Sequence, residues 1–390
     1  MPPSSTPKVA LLEEASRGFG RALLKGVAHY IRVHGPWSIH LQPTATSRVV
    51  PDLDAWEGDG VIARVETPQA LDVLRKINKP TVLVDAEPDW DLGNGEWPVA
   101  RVASDSLAAA RMAAAHLVER GFSEFAFLGS AQRVWSHRRE RAFTEAIRLA
   151  GHEARVFDLP TSGKRRPWAK ELRHLADWVE QLPRPIGVMT ANDDRGRQLL
   201  DACRLAGVRC PEDIAVIGVD DDLLLCELSD PPLSSIALNA ERGGFQAAET
   251  LDRMMQGKAP PQDEMLVEAL HVVERRSTDS LAIAQPEVVA ALRFIHAHRD
   301  KHVSVDEVAA HVGVPRRTLE IRFREQLGRT ILNEVQRVRL DHAKRLLQES
   351  DLPIPAVAQA SGFSSASYLI QVFRAKVGIT PAKYRDCHRL

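Results

Sequence analysis

The C-terminal quarter of the chain contains one sequence unit twice, and this repeat strongly limits the folds available to it. The first copy spans residues 306–330 and the second spans residues 355–380. The copies are offset by 49 residues up to their first shared glycine and by 50 residues after it, so we place one inserted residue in the distal helix of the second copy. The matched positions are Val308-Ala309 with Val357-Ala358, Gly313 with Gly362, Phe323 with Phe373, and Gly328 with Gly378.

Each copy has the pattern of a helix-turn-helix. A short amphipathic helix ends at a glycine, which can adopt the left-handed backbone that a tight turn between helices needs. A second helix follows, with one apolar face and one polar face. A single copy would fit a small helical bundle equally well, but two copies with matched turn glycines favour paired helix-turn-helix motifs. We predict these motifs at about residues 305–328 and 354–378.

The segment between the two copies is predicted to be one helix, from residue 331 to residue 348. A helix of this length measures about 27 Å. Successive major-groove positions on one face of DNA lie about 34 Å apart. One chain could therefore place two recognition helices near the spacing of adjacent grooves.

This segment, including its closing GITPAKYR, resembles the paired helix-turn-helix domain of AraC-type transcription regulators. The resemblance implies binding to double-stranded DNA. Arginine pairs with guanine edges and glutamine with adenine edges, whereas other basic residues hold phosphates without reading sequence. We predict base contacts by Arg316, Arg317, Glu320, Ser367 and Gln371, and phosphate contacts by Arg324, Arg339, Arg374 and Lys376.

The charge distribution agrees with a DNA-binding end, although it does not establish one. Residues 285–390 contain 17 Lys and Arg against 11 Asp and Glu, a balance of +6, while the chain as a whole carries −1. The remaining residues therefore carry −7. An acidic body joined to a basic end is typical of a sensor attached to a nucleic-acid reader.

Several other classes of protein are disfavoured. No signal-peptide pattern or apolar run of membrane-spanning length is visible, and four cysteines without CxxC spacing indicate reduced thiols, so we expect a cytoplasmic protein without a membrane partner. His296, His298 and His302 lie close together but lack further ligands at metal-site spacing. Phosphate loops and catalytic motifs are also missing. We expect no metal, no cofactor and no catalytic residues.

Residues before about 280 alternate apolar runs with helical patterns, which predicts parallel sheets with crossover helices. We count nine strands, too many for one lobe of this spacing, and therefore predict an α/β two-lobed sensor of doubly wound parallel sheets followed by an all-α domain. Ligands bind beyond the carboxyl ends of parallel strands. That rule selects residues 13–19, Ala63 and Arg64, Asp85, Ser104 and Asp105, and residues 130–139, 192–195 and 220–222.

Four segments of this part are similar to the sugar-binding core of LacI-type repressors and periplasmic sugar-binding proteins. They are VASDSLAAARMAAAHLVERG (102–121), TANDD (190–194), GVDDD (218–222) and VVERRST (272–278). The resemblance implies a periplasmic-binding-protein-like sensor over residues 1–278, a linker over 279–286 and a reader over 287–390. It implies ligand contacts by Phe19, Trp135, Arg139, Asp193, Arg195 and Asp220.

Structural roles remain open for these residues. Asp193 and Asp220 could cap helices or form turns, Arg139 could lie on a solvated helix face, and Trp135 could pack the lobes together. We interpret Asp105 as an N-cap near the hinge, and Arg138 and Arg141 as solvated residues.

A LacI-type sensor followed by an AraC-type reader resembles the regulators of bacterial xylose operons. This implies a homodimeric activator of D-xylose catabolic and transport genes, with the sugar as effector and RNA polymerase as a candidate partner. Two alternatives stay open. One is a regulator of the same architecture that responds to another pentose, such as arabinose or ribose. The other is a small-sugar enzyme with Asp193 and Asp220 as its acid–base pair and a helical dimerisation tail.

Overall fold

The computed structural model describes residues 6–42, 56–87, 90, 92, 96–131, 133–159, 167–279, 282 and 285–388. The chain forms two compact units: residues 1–115 with 124–279, and residues 116–123 with 280–390. Half of the predicted linker, residues 279–286, lies outside the described residues. In the described part of the chain, no helix is both long and apolar enough to cross a membrane.

Up to residue 220 the strands and helices occur in the order that the sequence predicts, and further elements follow up to residue 278. In chain order they are β1 (Lys8–Leu12), α1 (Gly18–His34), β2 (Ser38–Leu41), β3 (Gly60–Arg64), α2 (Pro68–Ile77), β4 (Thr81–Val84), β5 (Val99–Ser104), α3 (Ser106–Glu119), β6 (Phe125–Ser130), α4 (Val134–Leu149), β7 (Ala154–Leu159), α5 (Trp168–Glu180), β8 (Ile186–Thr190), α6 (Asp193–Leu205), β9 (Ile214–Asp220), α7 (Leu223–Leu228), β10 (Ser234–Leu238), α8 (Ala240–Met255), β11 (Met265–Val267), β12 (Ala269–Val273) and a 3₁₀ turn (Arg276–Thr278).

The described residues of the first unit form two six-stranded sheets, which confirms the predicted two lobes. Lobe 1 has the strand order β2-β1-β3-β4-β5-β11, and lobe 2 has the order β7-β6-β8-β9-β10-β12. The pairs are parallel except for β10 with β12, which is antiparallel and departs from the predicted all-parallel sheets. Strands such as β4 and β8 are buried along their whole length, as expected where helices cover both faces of a parallel sheet.

Three of the strands, β10 to β12, were not predicted. Strand β10 begins with Ser234 and Ser235, which do not look apolar, yet both are fully buried. Their hydroxyl groups are hydrogen-bonded, Ser234 to Thr278 at 2.7 Å and Ser235 to Asp193 at 2.6 Å. Burying a hydroxyl group that has a hydrogen-bond partner costs little free energy. This strand can therefore be buried without the apolar residues from which a strand is recognised in the sequence.

The chain crosses between the lobes at three places that lie side by side. The amide of Asp105 donates to the carbonyl of Val267, and the amide of Asn239 donates to the carbonyl of Glu268, each at 2.9 Å. The Asp105 carboxylate also accepts from the amide of Ala108 at 2.9 Å, which confirms its predicted role as the N-cap of α3.

The C-terminal part consists of seven helices among the described residues. They are α9 (Pro286–Ala297), α10 (Val305–Val312), α11 (Arg316–Leu327), α12 (Ile331–Glu349), α13 (Ile354–Ala360), α14 (Ala366–Val377) and α15 (Pro381–His388). Helices α10 with α11, and α13 with α14, are the two predicted helix-turn-helix motifs. Helix α12 connects them as predicted, and its 19 residues measure about 28 Å.

The turns between paired helices contain the predicted left-handed glycines, Gly313 at φ +77° and Gly362 at φ +72°. The predicted site of the inserted residue is wrong. Helices α11 and α14 have 12 residues each and start 50 residues apart, so the extra residue lies in the turn before α14 and not within the helix. A turn tolerates an insertion, whereas an insertion in a helix would rotate its apolar face away from the core.

Each motif has its own small core, and α12 supplies residues to both. Phe323 of α11 and Phe373 of α14 are fully buried at equivalent positions. The first core includes Ile331 and Val335 of α12, and the second includes Leu347. The two motifs are therefore built around opposite ends of one continuous helix.

We expect Phe323→Ala to lower the free energy of unfolding of the second unit by about 3–5 kcal/mol, because it removes a fully buried ring and leaves a cavity. Ile321→Ala is the matched control, since Ile321 lies on the same helix with half of its surface exposed; it should change stability by less than about 0.5 kcal/mol. Chemical denaturation followed by far-ultraviolet circular dichroism measures both. Equal effects of the two substitutions would contradict the packing described.

Candidate functional site

A cleft lies between the two lobes at the carboxyl ends of their strands, where the sequence analysis placed it. It contains about 440 Å³ of empty space, solvent at its mouth included. Its lining is unusually rich in both carboxylates and guanidinium groups. The lining residues are Glu13, Glu14, Arg17, Phe19, Gly20, Arg64, Glu66, Asp85, Arg133, Trp135, Arg139, Asn192 and Asp220.

The lobe 1 wall of the cleft is organised by Arg64, the last residue of β3. Its guanidinium donates to Glu13 and to Asp85, each at 2.8 Å. Burial alone would lower the pKa of Arg64, but these two carboxylates hold it above its usual value. Burial would raise the pKa of Asp85, but Arg64 and the amide of Ser104 hold it below its usual value. Burial does raise the pKa of Glu13.

The lobe 2 wall is organised by Arg139 of α4, which is 2% exposed. Its guanidinium donates to the carbonyl of Ala191 at 2.5 Å, to the Ser104 hydroxyl at 3.2 Å and to Asp220 at 3.3 Å. It also lies over the Trp135 ring, 5.3 Å from the centroid. Arg139 is therefore a cleft residue and does not lie on a solvated face. Burial raises the pKa of Asp220 to about 6, although Arg139 opposes this shift.

Buried polar atoms of Glu13 and Arg139 have no hydrogen-bond partner among the residues that the structure describes. Oε2 of Glu13 can only accept a hydrogen bond while ionised, and Nε of Arg139 can only donate one. A buried polar atom without a partner costs free energy. A ligand hydroxyl can both donate and accept, so a polyol would satisfy the two atoms together.

Phe19 and Trp135 supply apolar surface between these charged groups. Both rings line the cleft and are nearly buried. The Phe19 ring lies under the Arg64 guanidinium, 5.1 Å from its centroid. The cleft thus combines donors, acceptors and aromatic faces, which is the combination that a sugar ring with C–H and hydroxyl faces requires.

Four ion pairs among the described residues join one lobe to the other around the cleft. Arg17 pairs with Asp194 at 3.2 Å and Arg21 with Asp222 at 2.9 Å, while Arg133 contacts Glu66. The fourth joins Arg138 to Glu264 at 2.9 Å, and Arg138 also donates to the carbonyl of Ala86 at 3.2 Å. The prediction that Arg138 is only a solvated residue is therefore wrong: it bridges the lobes.

Asp193 is not placed to contact a ligand, which corrects its predicted role. Its carboxylate accepts from the amide of Asp222 at 2.7 Å and from the Ser235 hydroxyl at 2.6 Å, and it does not line the cleft. Burial raises its pKa well above the usual value, and Asp220 adds to the shift. Asn192, the preceding residue, lines the cleft instead. Asn192 also caps α6, because its side chain accepts from the amide of Arg195.

The predicted neighbour Arg195 lies behind the cleft wall. Its guanidinium donates to Ser130 at 2.7 Å and to Gln198 at 2.6 Å, and it is not a lining residue. The strand-end rule selected most lining residues that the resemblance did not, including Glu13, Arg64 and Asp85. Glu66 was missed because it lies two residues past the end of β3, beyond the positions that the rule covers.

The predicted DNA-contacting side chains, with one exception, lie on the outer faces of α11 and α14 or at their ends. Arg317, Arg324, Ser367, Gln371, Arg374 and Lys376 are exposed. Arg316 is exposed and pairs with Glu320 at 2.9 Å and Asp306 at 3.1 Å. The exception is Arg339, which is buried and donates to the carbonyl of Val303 at 3.0 Å and to that of Lys301. The prediction that it contacts phosphates is wrong, because its guanidinium holds the loop before α10.

Comparison with known proteins defines the class of this chain. Residues 8–93 match the XylR N-terminal domain, residues 114–278 a periplasmic binding protein-like domain, and residues 308–386 a helix-turn-helix domain. A solved structure of the xylose-binding transcription activator xylR is similar over 99% of this chain and 100% of its own, with a TM-score of 0.62 and 31% identity. The chain is a transcription regulator with a two-lobed sensor and a paired helix-turn-helix DNA-binding domain.

Full-length relatives identify the family more closely. The xylose operon regulatory protein of Escherichia coli strain K12 is 33% identical over 384 residues, which is 97% of each chain. That of Haemophilus influenzae is 28% identical over 382 residues, 97% of this chain and 98% of the relative. The chain therefore belongs to the family of xylose operon regulatory proteins.

Asp193 gives a test of the corrected site. We expect Asp193→Ala to lower the free energy of unfolding of the first unit by about 1–3 kcal/mol, because it leaves the Asp222 amide and the Ser235 hydroxyl without their partner. Asp193→Asn should restore most of that loss, since an amide can accept from the Asp222 amide and donate to Ser235. Thermal unfolding measures both. A stable Asp193→Ala variant with lost sugar binding would instead support a ligand contact.

Proposed function

We propose that this chain is a D-xylose-responsive activator of genes for xylose uptake and catabolism. The observation that supports this most directly is the pair of unpartnered buried atoms in the cleft, Glu13 Oε2 and Arg139 Nε. A sugar hydroxyl both donates and accepts hydrogen bonds, so vicinal hydroxyls suit one unpartnered acceptor and one unpartnered donor. The relatives' own names specify xylose among the sugars that would satisfy this chemistry.

Six of the cleft residues have a proposed role in sugar recognition. Glu13 and Asp220 accept hydrogen bonds from hydroxyls, Arg139 and Asn192 donate, and the Trp135 ring covers the C–H face of the sugar. Phe19 supports Arg64 from below. Asp193 and Arg195 hold the wall in place without touching the sugar.

The proposed mechanism is a shift between open and closed lobes. A ligand shifts such an equilibrium only by its different affinity for the two forms. The sugar contacts atoms of both lobes and thereby favours the closed form, which the four ion pairs around the cleft also stabilise. Closure then changes how two protomers associate and how their DNA-binding domains read DNA. A cytoplasmic homodimer, with residues 1–278 as sensor and 287–390 as reader, is part of this proposal.

We propose that the chain has no enzymatic activity. The rival enzyme would need an acid–base pair facing the cleft, and Asp193 with Asp220 was the candidate. The oxygens of Asp193 are engaged by Asp222 and Ser235, so this carboxylate is poorly placed to exchange protons with a bound sugar. Recovery of unchanged sugar after prolonged incubation with the protein is the expected result; appearance of a new product would contradict it.

The proposal predicts saturable binding of D-xylose with weaker binding of L-arabinose, D-ribose and D-glucose, measured by isothermal titration calorimetry. Glu13→Gln and Arg139→Met should each weaken D-xylose binding by about 10- to 100-fold, because each removes a charged hydrogen bond worth about 1.5–3 kcal/mol. Arg141→Met is the matched control for Arg139, since Arg141 is exposed on the same helix.

Unchanged D-xylose affinity in both cleft variants would contradict these roles. Preferential binding of another pentose would keep the cleft and replace the named effector. Loss of binding in Arg141→Met as well would indicate damage to α4 as a whole and not loss of a specific contact.

The pKa of Asp220 predicts how binding depends on pH. The carboxylate accepts hydroxyl hydrogen bonds most strongly when it is ionised, and its pKa is about 6. Affinity should therefore fall as the pH falls through that value, by about fourfold between about pH 7.5 and about pH 5.5. The raised pKa of Glu13 acts in the same direction. In Asp220→Asn, which does not titrate, this fall should become smaller; an identical pH profile would assign the effect elsewhere.

The exposed residues of α14 give a test of DNA reading. Gln371→Ala should weaken binding to operator DNA by about 1–3 kcal/mol while leaving non-specific binding unchanged, because it removes a base contact. Lys376→Ala should weaken binding to any DNA, because it removes a phosphate contact. The slope of log affinity against log salt concentration should become shallower by about one released counterion. Fluorescence anisotropy at several salt concentrations separates the two. The assignments would be reversed or wrong if Gln371→Ala changed the salt slope.

A further inference from the structure

A second cluster of ligand-type side chains lies in lobe 2, outside the sugar cleft. His137 and Glu140 lie three residues apart on α4, and Asp158 lies on the neighbouring edge strand β7. One ligand atom of each residue lies within 4.8 Å of the other two. The Nδ1 atom of His137 and Oε2 of Glu140 are 3.6 Å apart. These residues are not among those that line the cleft.

Two of the oxygens in this cluster are buried without a hydrogen-bond partner in the described part of the chain. They are Oε2 of Glu140 and Oδ1 of Asp158, and they come from different elements of the fold. Carboxylate oxygens withdrawn from water without a donor are costly, and two like-charged groups at close range add repulsion. A cation between them would remove both costs. An ordinary surface pair of His137 with Glu140 would not explain the buried oxygen of Asp158.

The backbone provides space for the Asp158 carboxylate. Asp158 lies opposite Gly129 in the pairing of β6 with β7. A Cβ atom at Gly129 would lie 1.9 Å from Oδ1 of Asp158, so any other residue would displace the carboxylate. Glycine at this strand position is unfavourable for strand formation by itself and often marks a close approach. The close approach here is that of the carboxylate to the strand beneath it.

The guanidinium of Arg195 does not replace a cation at this cluster. Arg195 is close enough for the Asp158 charge to raise its pKa, which burial lowers overall. Its Nε donates to Ser130 and its Nη1 donates to Gln198. Oδ1 of Asp158 has no such donor among the described residues.

We propose that His137, Glu140 and Asp158 bind a divalent transition-metal ion of the Zn²⁺ class. One imidazole nitrogen and two carboxylate oxygens are a ligand set that Zn²⁺ accepts, whereas Ca²⁺ and Mg²⁺ prefer oxygen ligands alone. Tetrahedral Zn²⁺ with bonds of about 2.0–2.1 Å places its ligand atoms about 3.3 Å apart. The present separations are 4.8 Å or less, so side-chain rotations would have to shorten them to that value on binding. A fourth position would stay open for water.

The bound ion would fasten α4 to β7. The same helix carries Trp135 and Arg139 on its cleft face and Arg138 in the bridge to lobe 1. The metal site is independent of the sugar proposal, since it uses none of the cleft residues. Failure of one proposal therefore leaves the other unaffected.

The test is calorimetric titration of the full chain with Zn²⁺ alone, after treatment with a chelator, supported by the visible absorption of bound Co²⁺. We expect one tight site per chain. His137→Ala, Glu140→Gln and Asp158→Asn should each lower the affinity for Zn²⁺ by at least about 10- to 100-fold. Losing only a residue that supports a metal ligand already has an effect of that size. Gly129→Ala should lower this affinity too, although it changes no ligand.

Matched controls separate this site from weak binding at other histidines. Glu145→Gln on the exposed side of α4, where Glu145 pairs with Arg148, and His152→Ala just beyond the helix should leave the tight site unchanged. The conservative Gln and Asn variants retain side-chain shape, and far-ultraviolet circular dichroism without metal verifies their fold. A tight site that survives all the ligand variants, or no tight site in the unaltered chain, would overturn the proposal.

Discussion

The buried guanidinium of Arg64 is the interaction on which the sensor depends. It is held between Glu13 and Asp85, so it ties together the ends of three adjacent strands of lobe 1. Asp85 continues the connection to Ser104 of β5, and Ser104 accepts from Arg139 of lobe 2. A buried charge of this kind is stable only with its partners in place. The same groups that fix the strand ends therefore also present the unpartnered atoms that a sugar would engage.

Much of the fold follows from the sequence because its periodic signals are strong. The two helix-turn-helix motifs were predictable from matched glycines and phenylalanines, and the two lobes from the number of apolar runs. Strand β10 was not predictable, because Ser234 and Ser235 are buried through hydrogen bonds and not through apolar character. The extra residue of the second motif was placed wrongly in the sequence analysis. A change in offset shows only that an insertion lies somewhere between two matched positions.

The position of the site was predicted correctly from the sequence, but several of its individual residues were not. The strand-end rule found the correct edge of each sheet, since it depends only on topology, and it therefore included Glu13 and Arg64. Resemblance to a family selected single residues, and one of these predictions was wrong by one position. Asn192 faces the cleft, while the predicted residue Asp193 points into the wall. Sequence cannot show which of two adjacent polar residues faces a ligand, because that depends on helix phase at the first turn. Arg138 and Arg339 were misjudged for a related reason, since their partners are distant in sequence.

Sensing and DNA reading are linked by thermodynamic reciprocity, which offers a direct test of the central claim. If D-xylose raises the affinity of the chain for DNA, operator DNA must raise the affinity for D-xylose by the same factor. The measurement is calorimetric titration of D-xylose into the full chain with and without DNA from upstream of the xylose genes that we propose it controls. The account predicts tighter sugar binding with DNA, by the factor found when DNA binding is measured with and without sugar. Identical sugar affinities in both conditions would contradict it.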